Sequence, residues 1–151
     1  MSATARVAQA AVEVPVGPGA AFELFTARIG DWWRDYWNDA QAVTIRLEPG
    51  AGGRLVEVWD PETGEGFEIG RVTAWEPGRR LALSWRESGW EADEATEVEV
   101  RFEPTGGGTR AALVHRGWER VAGDPHAGEG YTEGWEELLA WYAEAAAEAA
   151  S

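Results

Sequence analysis

The chain is 151 residues long, carries a formal net charge of −14 and has no cysteine. That length suits one domain with a proper core. The acidic field works against nucleic-acid phosphates and anionic lipid heads, and the missing thiols exclude disulfides, thiolate nucleophiles and cysteine metal sites.

All basic residues are arginine, which also excludes lysine bases and Schiff-base chemistry. The N-terminal stretch MSATARVAQAAVEV lacks the basic start and long apolar run of a signal peptide. No apolar run is long enough to span a bilayer. We expect a cytoplasmic protein, one domain over residues 1–151, with no membrane and no nucleic acid among its partners.

In chain order, residues 7–16 alternate weakly and read as a strand. Pro18 suits the first turn of a helix, which AAFELFT continues. Trp33 and Trp37, four apart, suit one face of a second short helix and a lid over whatever lies beneath. From residue 42 the apolar period becomes two. Val43, Ile45 and Leu47 form one row, and Leu55, Glu57 and Trp59 form another. A strand from Phe67 to Trp75 follows, with Gly70 as a bulge. Leu81, Leu83 and Trp85 share a face, as do Val98, Val100 and Phe102. The last strand runs from Thr109 to Trp118. Short, regularly spaced strands of this kind argue an antiparallel meander.

The C-terminal stretch changes period. Tyr131, Trp135, Leu138, Leu139, Tyr142, Ala145, Ala146 and Ala149 fall on one helical stripe. Over residues 131–149 that helix runs roughly 28 Å at ~1.5 Å per residue. Its stripe needs a partner, and a sheet with one apolar face is available. The class is α+β: a curved antiparallel sheet of about seven strands around one long helix, with two short helices after the first strand.

Several stretches resemble one family. PVGPGAAFELFT and IGDWWRDYW are similar to its first two helices, and GGRLVEVWD with GFEIGRVTAWEPGRRLALSW to its central strands. TRAALVHRGW and GYTEGWEELLAWY resemble its last strand and last helix. In order and spacing they resemble the START-like, or SRPBCC, superfamily, in the branch related to the C-terminal domain of the activator of the heat-shock-protein-90 ATPase. The resemblance implies a helix-grip fold with a hydrophobic cavity between the long helix and the sheet. Members bind lipids, sterols, polyketides or hormones; some are aromatase/cyclases and others cochaperones. The function itself has to come from the site.

Ten tryptophans give that cavity a character. Each brings a large apolar face and one N–H donor, which suits walls around a flat, apolar molecule. The expected ligand-binding residues are Trp33, Trp37, Trp59, Trp75, Trp85, His115, Tyr131 and Trp135. A drug-sized ligand there needs about 300 Å³.

His115 shares strand parity with Ala111 and Leu113, so it either lines the cavity as an acid or base or is a satisfied interior histidine. Glu57 is a candidate base if it faces inward, and Arg71 a carboxylate anchor if it does; an outward, ion-paired state is the alternative for each. The two histidines lack ligand spacing, so no metal is expected, and no cofactor motif occurs. The leading expectation is therefore binding of a hydrophobic, aromatic small molecule. The alternatives are a cyclase- or hydrolase-like enzyme using His115 with Glu57 or Arg71, and a regulator of a heat-shock-protein-90 homologue. A homodimer is possible, with Trp90, Trp118 and Trp141 as candidate contacts.

Overall fold

A computed structural model of the chain describes residues 7–34, 41–86, 95–118 and 131–150. Seven antiparallel strands form one curled sheet in the order β1-β7-β6-β5-β4-β3-β2. They are β1 (Ala8–Val14), β2 (Thr44–Leu47), β3 (Arg54–Asp60), β4 (Glu65–Glu76), β5 (Arg80–Trp85), β6 (Thr96–Thr105) and β7 (Gly108–Arg116). Two short helices, α1 (Pro18–Thr26) and α2 (Ile29–Trp32), follow β1, and the long helix α3 (Tyr131–Ala150) closes the order. This is the helix-grip arrangement.

The period-two rows align across strands. Leu83 faces Val98, which faces His115, which faces Ala8. One layer away, Leu81, Val100, Leu113 and Ala10 make a parallel row. Both rows lie on the concave face, and their buried apolar members belong to one core. The other face of β6 is charged: Glu99 is ion-paired with Arg80, Arg101 and Arg116, and Glu97 with Arg116. One wet face and one dry face is what strict alternation on an antiparallel sheet produces.

The dry face has to be covered, and α3 does so with Trp135, Leu138, Leu139, Tyr142 and Ala146. Polar handles on the aromatics tie the three helices together. The Tyr142 hydroxyl donates to the Ala21 carbonyl at 2.7 Å, and burial pushes its phenol pKa up. Trp32 Nε1 donates to the Leu24 carbonyl at 2.8 Å, and its ring lies 5.2 Å from that of Tyr142.

Two local expectations shift. The second helix ends earlier than the Trp33–Trp37 spacing predicts, because Trp33 is already extended, with φ −74 and ψ 121. Trp37 lies outside the described residues, as does Trp90. Trp118 and Trp141 are not surface contacts: they are only 3% and 9% exposed, and the Arg34 guanidinium sits 5.8 Å from the centre of the Trp141 ring.

The bulge expected at Gly70 is present. Pairing of β3 with β4 slips between Leu55 and Val56, opposite Gly70 and Glu68. A Cβ on Gly70 would lie 1.7 Å from the Ser84 carbonyl oxygen, so β4 and β5 approach there more closely than any side chain permits. Gly70→Ala is therefore expected to destabilise the fold by ~2 kcal/mol or more, the range of strained or overpacked substitutions. Gly107→Ala, whose Cβ would meet nothing within 4 Å, should stay within about 0.5 kcal/mol of wild type. Urea unfolding of both variants measures the contrast.

Candidate functional site

Among the described residues, a small cavity lies between α3 and the concave face. Its floor is Leu81, Leu83 and Trp85 of β5 with Val98 and Leu113; Leu47 and Leu55 form one side. Phe25, Ile29 and Trp33 cover it, and Trp135 closes the end under α3. All these side chains are apolar, and none presents a polar atom to the space. The volume is about 20 Å³, near that of one water. A water there would find no hydrogen-bonding partner, so the space is dry.

The rings thus come together rather than standing apart. Among the described residues the expected volume of about 300 Å³ is not open between α3 and the sheet, where Trp33, Trp85 and Trp135 line about 20 Å³.

Behind Trp85 and Trp135 lies an aromatic cage around His115. Its ring centroid is 4.1 Å from Trp118, 5.0 Å from Tyr131, and 5.7 Å from both Trp85 and Trp135. His115 is fully buried. Trp135 Nε1 donates to its Nδ1 at 3.1 Å, while Nε2 lies 2.6 Å from Thr96 Oγ1. Burial lowers the imidazole pKa from 6.5 to about 3. His115 therefore stands behind the cavity wall as a neutral, satisfied ring. It does not open into the cavity.

The remaining expected residues divide. Trp33, Trp85 and Trp135 line the cavity. Tyr131 belongs to the cage, where its hydroxyl accepts from Trp85 Nε1 at 3.3 Å. Trp75 is half-buried and packs edge-on against Phe22 at 5.1 Å, away from the cavity. Trp59 is 43% exposed, because a second β3–β4 register shift falls between Val58 and Asp60 and breaks its parity with Leu55.

Arg71 is exposed and bonded to Glu68 through Nε at 3.2 Å, which is the outward, paired state. Glu57 is fully buried, opposite Ile45 and Phe67, one layer beyond Leu47 and Leu55. His115, Glu57 and Arg71 do not converge on one space. Among the described residues no group of three or more His, Asp or Glu side chains could hold a metal ion, and no described helix is long and apolar enough to cross a membrane. Sequence reading missed Thr96, the partner of His115. Its register opposite Trp85, with an otherwise apolar face around it, was the available signal.

A helix-grip fold with an apolar space under its long helix defines a broad class of proteins. Residues 15–145 match the family model described as activator of Hsp90 ATPase homolog 1-like protein. The chain belongs to that family. Among solved structures, an anthrahydroquino-γ-pyrone synthase, Txn09, is 33% identical, with 91% of this chain and 95% of that chain covered and a TM-score of 0.60. A Rhodobacter sphaeroides protein is 23% identical, covering 94% and 92% at a TM-score of 0.70. The Aha1 dimer from Colwellia psychrerythraea is 16% identical, covering 93% and 95% at 0.65. No curated protein sequence matches the chain.

Burial of neutral His115 makes stability pH-dependent. Between its folded pKa of about 3 and the unfolded 6.5, only the unfolded chain takes the proton. The stabilisation is complete above pH 6.5 and is lost as pH falls toward 3. From pH 8 to pH 5 the expected loss from this group is about 2 kcal/mol. Urea unfolding at the two pH values should show that loss in wild type and not in His115→Gln.

Proposed function

We propose that this protein binds a flat, apolar, aromatic small molecule between α3 and the concave face of the sheet. The observation that carries the reading is the cavity lining: only carbon surface, three of its walls being indole rings. Such walls offer stacking and edge contacts to an aryl group and nothing to an ion or a sugar. The likeness to a synthase whose name specifies a fused aromatic product supports the same ligand class.

The 20 Å³ of open space means that a ligand must displace a side chain. Trp33 is the residue placed to move. It covers the space from just past the end of a four-residue helix, in extended backbone. Next to it, Arg34 is ion-paired with Glu144, both more than half exposed, and such pairs hold by only about 0–1 kcal/mol.

Alizarin, a planar dihydroxyanthraquinone, is a suitable probe. It should quench tryptophan fluorescence saturably at micromolar concentration. Trp33→Ala removes the side chain that fills the space, so it should bind alizarin about tenfold more tightly while losing ~3–5 kcal/mol of stability. Absence of saturable binding in both proteins overturns the reading.

One observation favours a second, catalytic reading: 33% identity to a synthase over nearly the whole chain. Of the three candidates Glu57 is then the proton-transfer group, a fully buried carboxyl opposite Ile45 and Phe67 that lies one layer beyond the cavity lining. Turnover of that synthase's own substrate by wild type and its loss in Glu57→Gln support this; no turnover by wild type rejects it.

A further inference from the structure

We infer that His115 is a positioning residue for the cavity: it fixes the Trp135 wall by presenting a bare Nδ1 to the indole N–H. The use made of that wall rests on the ligand-binding reading above; the positioning itself does not.

Proton bookkeeping assigns the tautomer. An indole N–H can only donate, so Nδ1 of His115, 3.1 Å from Trp135 Nε1, has to be unprotonated. The ring is neutral, so its proton sits on Nε2 and is donated to Thr96 Oγ1 at 2.6 Å. The Thr96 hydroxyl then spends its own proton on the Trp85 carbonyl at 3.2 Å. Every donor in the chain has one acceptor, and reversing any link would set two donors against each other. The chain joins β5, β6, β7 and α3 and ends on both wall residues, the Trp85 backbone and the Trp135 side chain.

The consequence for the cavity is chemical. With Trp135 Nε1 given to His115 and Trp85 Nε1 given to Tyr131 at 3.3 Å, both indoles turn their polar edges away from the space. The wall they present is carbon only. A ligand therefore meets no hydrogen-bonding partner at this end. The end selects an unsubstituted aryl edge and rejects one carrying a hydroxyl, whose desolvation would go uncompensated.

Two substitutions separate the two nitrogens of His115. Asn places its amide oxygen the same number of bonds from Cβ as Nδ1, so His115→Asn keeps the acceptor for Trp135. Gln reaches only the Nε2 position, so His115→Gln keeps the Thr96 link and loses that acceptor. The ligand-free readout is the Trp135 indole N–H resonance in a ¹⁵N-tryptophan-labelled sample. It should be downfield and slow to exchange in wild type and His115→Asn, and fast-exchanging in His115→Gln. Thr96→Val supplies the same test should His115→Gln not fold. Without the hydroxyl the tautomer is no longer pinned, so the Trp135 resonance should lose protection and the His115 ring ¹⁵N shifts should report mixed tautomers.

In alizarin titrations the Gln variant should bind about tenfold more weakly and the Asn variant within about threefold of wild type. Equal Trp135 protection in all four proteins, or loss in His115→Asn with retention in His115→Gln, overturns the positioning role. Intact protection differences with no alizarin binding by wild type leave the positioning standing and reject the ligand reading instead.

Discussion

A curled antiparallel sheet with one carbon-rich face has to hide that face from water, and α3 is the element that does it. The rest of the molecule follows from that burial. Apolar area removed from water is worth ~25 cal/mol per Å², so a helix carrying Trp135, Leu138, Leu139 and Tyr142 into the concave face contributes more than its intrinsic propensity. The outer face of the same strands is left to ion pairs such as Glu99 with Arg80 and Arg101. Glu99 itself is buried, so its arginine partners are needed to compensate its charge.

Tryptophan solves a packing problem at the closed end of the grip. A wide sheet curling round a straight helix leaves gaps that aliphatic side chains fill poorly. Trp85 and Trp135 meet at a 5.1 Å centroid separation, nearly edge to face, and fill that end. Each then needs a partner for one N–H. Tyr131 and His115 supply them, which is why a histidine and a threonine sit in an otherwise apolar region. The polar network is satisfied throughout: among the described residues no buried side-chain nitrogen or oxygen lacks a hydrogen-bond partner. A small dry space with Trp85 and Trp135 on one side and Trp33, at the end of a short helix, on the other is the result.

Much of the fold was legible because period two and period 3.6 are properties of the chain itself. The rows through Leu83, Val98 and His115, the bulge at Gly70 and the stripe of α3 follow from spacing. The site was less legible wherever parity passes through an irregularity. Trp59 shares a nominal face with Leu55, but the shift before Asp60 takes it to the surface. Arg71, one residue beyond Gly70, turns outward to Glu68. Trp118 and Trp141 looked peripheral because spacing does not record what folds back over them, the His115 ring in one case and the Arg34 side chain in the other. Cavity volume depends on how side chains fill a curved surface, and no one-dimensional pattern encodes it.

The most direct measurement follows the indole N–H resonances of the ten tryptophans in one ¹⁵N-labelled sample as alizarin is added. Entry under α3 predicts saturable shifts at Trp33, Trp85 and Trp135, with Trp33 moving furthest and Trp59 and Trp75 unmoved. Shifts confined to Trp59 and Trp75, or no shift at all, would contradict a ligand site between α3 and the sheet.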